Sequence, residues 1–323
     1  MARPLCFSGF KGKRLPAENE KKMGKKSRQT AVAYLFLMPA LILMAVFTFY
    51  PIIYGIILAF YDCNMIRTLD DGSLAPARWV GLDNFLRLRH DPYFFTALKN
   101  SLLYLLVVPV IQLLSMALAV AVNGKIRGVR FFRAAFYVPV ITSIVVVGIS
   151  WKWVFSSDGI LNFILVRKLH LFQAAIPWLT DRNLALFSVM FVTLWQGLGY
   201  YMVLYLAGLQ TIEPDFEEAA RLDGAGPLEV FRKITIPLLK PSIALCTIIS
   251  CISALKVFGE IYVMTEGGPE YGTLTLVYYI FGKAFNEFNM GYAAAIAFVL
   301  AIFVGFISLI NIMFFKEGGL KYY

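Results

Sequence analysis

Glu213-Pro-Asp-Phe-Glu-Glu-Ala-Ala-Arg-Leu-Asp-Gly-Ala-Gly-Pro-Leu-Glu-Val-Phe-Arg-Lys-Ile-Thr-Ile-Pro237 stands as a polar island between two long apolar runs, and its reading decides the fold. Its punctuation is helical. Pro214 suits the first turn of a helix, Asp215, Glu217 and Glu218 suit its positive N-terminal end, and Gly224 suits the left-handed residue that closes it. Pro227 then opens a second short helix, expected to end before Pro237. Phe216, Ala219 and Ala220 share one face at i, i+3, i+4 spacing, and Leu228 and Phe231 share one on the second helix. Two short amphipathic helices joined by a Gly-rich turn make a rigid knob tethered between apolar segments. Such a knob either packs on its own bundle with its charges solvated or docks into another chain, and spacing alone leaves both readings open.

Working outward, the flanking runs cover about 186–208 and 242–264, each near the 20 residues a helix needs to cross a bilayer. Four more runs meet the same criterion, at about 32–58, 101–123, 136–155 and 291–314. The chain is therefore read as an all-α integral membrane protein with six transmembrane helices in one bundle and a short helical loop between the fourth and fifth. Residues 1–30 form a basic tail, 31–315 the membrane domain and 316–323 a short C-terminal tail. The first run is too long for a signal-peptide core and lacks a small-residue cleavage site, so it is expected to stay as an anchor. Pro39 and Pro51 fall inside it. Pro109 and Pro139 fall in the second and third runs, where neighbouring helices can satisfy the freed backbone groups.

Composition agrees. Of 323 residues 59% are hydrophobic and 15% charged, against roughly 45–50% and 25% in soluble domains. The net charge of +10 would suggest nucleic acid in a soluble protein, but here placement explains it. With the N-terminus inside, inner segments hold 19 Lys and Arg and outer segments 9, which puts both termini in the cytoplasm. The basic tail is first a topology signal, with anionic lipid headgroups as a secondary partner. No nucleic acid is implied.

Cys6, Cys63, Cys246 and Cys251 lack the spacing of a zinc or redox motif and read as small buried hydrophobes. His90 and His170 lie in separate polar stretches and read as loop residues. No catalytic residue and no metal site is assigned. In the fourth run Thr193, Gln196, Gly197 and Tyr200 fall on one helical face. Amide and hydroxyl groups pair with sugar hydroxyls, and an aromatic ring stacks on a sugar's apolar face. The competing reading is that Gly197 and Gly199 allow close helix packing while the polar groups bond across the bundle. Ser250 and Ser253 are weaker candidates, since each could bond back to its own helix. Lys256 and Glu260, at i, i+4, read as a neutralised pair near the outer end of the fifth run, in preference to a proton or ion pathway.

Glu218-Ala219-Ala220, Gly224 four residues on, then Ile234 and Ile236-Pro237 resemble the EAA loop of permease subunits of binding-protein-dependent ABC importers. Trp79-Val-Gly-Leu-Asp-Asn-Phe85, Arg130-Phe-Phe-Arg133 with Pro139, Thr265-Glu-Gly-Gly-Pro269 and Gly291-Tyr-Ala-Ala-Ala295 resemble the maltose and glycerol-phosphate branch of that family. The likeness covers nearly everything from about residue 30. It implies a saccharide or polyol permease of the bacterial inner membrane, working by alternating access. The knob would sit in a cleft of a separate ATPase. Glu218 would make a polar contact there, Ala219 and Ala220 would allow close approach, and Asp223, Gly224 and Pro237 would complete the loop. The resemblance also implies a second, homologous permease, two ATPase copies that use ATP and Mg, and an extracytoplasmic solute-binding protein. Consistent with that division, the chain has no G-x-x-x-x-G-K-[ST] phosphate loop, and no cofactor is expected on it. The face at 193–200 gains weight as cavity lining because it directly precedes the loop.

Two other classes compete. An ion-coupled secondary transporter would normally show acidic groups in mid-membrane, and the six runs hold almost none. An integral membrane enzyme would need a carboxylate or metal cluster near an interface, and Asp70, Asp71 and Asp83 lack ordered ligand spacing.

Overall fold

The computed structural model describes residues 17–66, 76–124 and 128–316; of residues 17–29, 31 and 316 only the backbone is described. Cys6, Arg67, Asp70, Asp71, Lys125, Arg127 and the ends of both tails lie outside the described residues. The chain divides after Gly55 into two compact units. In the first, α1 (Ala17–Met44) leads through a π turn at Ala45–Phe49 into α2 (Tyr50–Leu58), which continues past the boundary. Phe36 is 79% and Phe47 74% exposed, the surface of a helix built to face lipid.

The second unit opens on an antiparallel ribbon, β1 (Tyr61–Asp62) with β2 (Arg78–Trp79), pairing Tyr61 with Trp79. After α3 (Asp83–Leu88), the helices α4 (Pro92–Tyr104) and α5 (Val107–Asn123) form one 32-residue apolar span that begins nine residues before the expected 101. Asp91 caps it, accepting from the backbone N–H groups of Tyr93 and Phe94 at 2.9 and 3.3 Å. Pro109 has no N–H for the Leu105 carbonyl, which instead takes the N–H of Val108 at 3.0 Å.

The third run departs from expectation. Instead of a single transmembrane helix over 136–155, it is a pair, α6 (Val129–Ile141) and α7 (Ile144–Val154), bent by 98°. Thr142 and Ser143 between them are extended, at ψ 136° and 134°. Among the described residues, five helices are thus long and apolar enough to cross a membrane, or six if the bent pair is one span.

A short α8 (Ile160–Asn162) and a π turn precede α9 (Leu184–Gln210), the fourth span. The polar island carries α10 (Pro214–Leu222), α11 (Pro227–Val230) and α12 (Ile236–Leu238). The fifth span is α13 (Lys240–Leu255) with α14 (Gly259–Met264), then α15 (Leu276–Phe281) and the final span α16 (Met290–Lys316). The main core gathers Tyr104, Ile111, Val189, Met202, Tyr205 and Ile261 from α4, α5, α9 and α14. α6 lies so close to α9 that a Cβ on Gly199 would strike the Phe136 carbonyl oxygen. Cys246 and Cys251 are buried, whereas Cys63 is only half-buried because it sits in the loop after β1. His90 is exposed, and His170 takes a left-handed turn at φ 50°.

Candidate functional site: a central cavity and an uncovered knob

The polar island begins as its sequence dictates. α10 starts at Pro214 and closes on Gly224, at φ 87°, with the N–H groups of Gly224 and Ala225 donating to the Arg221 and Ala220 carbonyls at 3.1 and 3.0 Å. Its second half differs from the expected helix ending before Pro237. The helical run from Pro227 passes through a π turn at Phe231–Thr235 and continues through Pro237 to Leu238. The widened turn, closed by the Ile236 N–H on the Phe231 carbonyl, loosens the helix where the ring enters.

Buried Val230, Thr235 and Leu239 root the knob. Thr235 Oγ1 donates to Glu217 Oε1 at 3.3 Å, while Arg221 approaches Glu217 Oε2 at 3.5 Å. Glu217 therefore braces the two halves of the knob against each other. Glu218 is exposed and has no hydrogen bond or ion pair among the described residues, and Ala219 and Asp223 are also exposed, with Ala220 half-buried. Beside them Phe216, Leu222 and Leu228 are 52, 89 and 79% exposed. The knob is anchored at its root and uncovered at its face.

A cavity of about 640 Å³ lies among α5, α9, α13, α14 and the break between α6 and α7. Thr193, Gln196, Gly197, Tyr200, Ser250 and Ser253, chosen from the sequence, all line it. They differ in what they have left to offer. The Thr193 hydroxyl lies 2.5 Å from the Tyr104 hydroxyl and 3.2 Å from Glu260 Oε1, so it bonds across the bundle. Ser250 accepts from Gln112 Nε2 at 2.8 Å and donates back to the Thr247 carbonyl at 3.0 Å. Gln196 Nε2 donates to the Pro139 and Thr142 carbonyls at 3.3 and 3.1 Å, capping the broken helix, and its Oε1 has no partner among the described residues. Ser253 is exposed, and the Tyr200 ring meets Tyr201 edge-on at 5.1 Å.

Lys256 and Glu260 also line the cavity, but not as the neutralised pair that their spacing suggests. α13 ends at Leu255 and α14 starts at Gly259, so the i, i+4 geometry of one helix is lost, and Glu260 takes the Thr193 hydroxyl instead. Sequence reasoning missed Tyr104 and Gln112. Gln112 is buried, donates to the Cys246 carbonyl at 3.2 Å and accepts from the Tyr205 hydroxyl at 2.6 Å. Its signal was a lone amide in an apolar run, a placement that is unfavourable unless the group is partnered.

Apolar helices that enclose a cavity edged with hydroxyl, amide and aromatic groups, with an uncovered knob hung from the end of one of them, define a component of a membrane transport machine. The chain belongs to the family of binding-protein-dependent transport system inner membrane components, which residues 113–314 match. It is 35% identical over 292 residues to the probable ABC transporter permease protein YurN of Bacillus subtilis, covering 89% of this chain and 97% of that protein. It is likewise 35% identical over 289 residues to the lactose transport system permease protein LacF of Rhizobium radiobacter, covering 88% and 94%. In fold it is similar to the crystal structure of a bacterial ABC transporter involved in the import of alginate, with a TM-score of 0.75 and 22% identity over 92% of this chain and 99% of that one. The chain is thus an ABC importer permease, a multi-pass inner-membrane protein that is not itself an enzyme. The ion-coupled reading has no support.

Proposed function

We propose that this chain is one half of the pathway of a saccharide importer, moving its substrate inward by alternating access. A separate pair of ATPase subunits, using ATP and Mg, drives it; a second, homologous permease completes the enclosure, and an extracytoplasmic solute-binding protein delivers the substrate. Both termini are cytoplasmic, as the distribution of Lys and Arg supports. The observation that carries the reading is a single helix whose middle lines the cavity and whose C-terminal end leads into the knob. α9 gives Thr193 to Tyr200 to the cavity and ends at Gln210, roughly 15 Å further along its axis, four residues before α10 begins. A displacement of Glu218 and its apolar surround by the ATPase is transmitted along α9 to the cavity wall. The names of relatives support a sugar, since LacF is a lactose permease and MsmF a multiple-sugar permease.

Purification through a tag on this chain should bring down an ATPase, and cells should take up labelled saccharide. Gly224→Val, which forces a β-branched residue into the left-handed turn, should lower both. Unchanged uptake in that variant, together with no ATPase in the purified complex, overturns the reading.

A further inference from the structure

Lys256 lies on the cavity wall at the break between α13 and α14, exposed and without a hydrogen bond or ion pair among the described residues. The only carboxylate lining the same cavity, Glu260, already takes the Thr193 hydroxyl. A second cavity of about 600 Å³ lies at the far ends of α7 and α14. α7 gives Ile144 to the first cavity and Lys152 to the second, and α14 gives Gly259 and Glu260 to the first and Met264 to the second. Between them Gly148 packs on Val263, close enough that an added Cβ would lie 2.7 Å from Val263 Cγ1. Ser156, Trp178 and Thr180 help line the second cavity, and Lys152 is its only charged lining group. Lys152 too has no partner among the described residues.

An exposed ammonium group on a cavity wall with no ion-pair partner among the described residues is free to make charge-assisted hydrogen bonds to an anionic ligand. Two successive chambers along one helix pair each hold such a group; the first also holds Glu260, already engaged by Thr193, and no carboxylate lines the second. We propose that the transported saccharide carries an acidic group and that Lys256 is the residue that selects for it. The anion meets Lys256, while the Gln196 Oε1 and Glu260 carboxylate oxygens accept from ring hydroxyls. Lys152 supplies the first cationic contact on the same route. This rests on the reading of the chain as a saccharide permease.

The test uses the whole importer, purified through this chain and reconstituted in liposomes with its binding protein. It is offered uronic-acid oligosaccharides and the methyl esters of the same compounds, which keep the ring and lose the charge. The acids should be carried, and Lys256→Gln should lower their uptake at least tenfold, the worth of about one charge-assisted hydrogen bond, without a matching loss for any ester that is carried. Lys256→Arg should stay near wild type. Acid uptake unchanged in Lys256→Gln, acids and esters lowered alike, or an arginine variant that behaves like the glutamine one overturns the proposal. So does uptake of neutral saccharides with no acid carried, which leaves the proposed function standing. No uptake of any saccharide, charged or neutral, defeats the proposed function itself.

Discussion

Asp91 shows how much of this fold hangs on one carboxylate. One oxygen caps α4, and the other accepts from the hydroxyls of Tyr279 and Tyr292, each at 2.5 Å, from segments 188 and 201 residues downstream. Burial alone would raise its pKa, but the four hydrogen bonds outweigh it and hold the group below its ordinary 3.8. A carboxylate with a depressed folded pKa contributes stability that is fully present above the unfolded value and is lost as pH falls through the folded one. Thermal unfolding of the purified protein should therefore show an Asp91 contribution that is constant at neutral pH and fades below about pH 4. Asp91→Asn should lower Tm at pH 7 and shrink the further loss on acidification; an unchanged acid profile would sink the assignment. At the knob, neighbouring glutamates should behave oppositely. Glu217→Ala removes a brace and should lower both Tm and ATPase recovery. Glu218 is exposed and makes no hydrogen bond or ion pair among the described residues, so Glu218→Lys should leave stability within about 0.5 kcal/mol while abolishing recovery of the ATPase.

The element that departs most from its sequence is the third apolar run. Pro139 flags a weak point, since its ring leaves the preceding turn without a donor, but a proline in a membrane helix usually makes only a kink. What permits a 98° bend is Gln196, whose amide takes the Pro139 and Thr142 carbonyls. No local pattern in 129–154 contains that partner. The same holds for Lys256 and Glu260, whose spacing is read correctly only if the helix is continuous, and for Pro237, which a π turn carries into the helix. Legible from the sequence were features that depend on local chemistry: the presence and order of the apolar runs, the Gly224 closure, and the 3.6-residue face that brings Thr193, Gln196 and Tyr200 to one cavity. Hidden were the features made by contact across the fold, such as the Tyr104 and Gln112 bonds. Gln196→Leu strips two part-buried bonds from the break and should destabilise the protein by about 1 kcal/mol, toward the low end of the range for leaving acceptors unsatisfied. Gln196→Glu, which keeps the acceptor and loses the donors, should follow it, in Tm and in uptake. A glutamate variant as stable as wild type would mean that another group caps the break.

For the molecule as a whole, the bent pair decides the topology. If α6 and α7 together cross the membrane, the segment around Asp158 shares a side with the segment around Asp83, and the knob lies on the other. If the pair turns back, Asp158 and Asp83 lie on opposite sides, the knob joins Asp83, and a five-span chain places its termini apart. Lysine and arginine placement favours the crossing, because only then do the knob's basic residues fall with Arg130, Arg133 and the N-terminal cluster. Single cysteines at Asp83, Asp158 and Glu229, all exposed, with Cys6, Cys63, Cys246 and Cys251 replaced by serine, can be probed in intact cells with a membrane-impermeant thiol reagent. The positions at 83 and 158 should label from outside, and that at 229 only after permeabilisation. Labelling at 83 and 229 with protection at 158 establishes a re-entrant pair instead. That result would put the knob on the face away from ATP, and no ATPase could then grip Glu218.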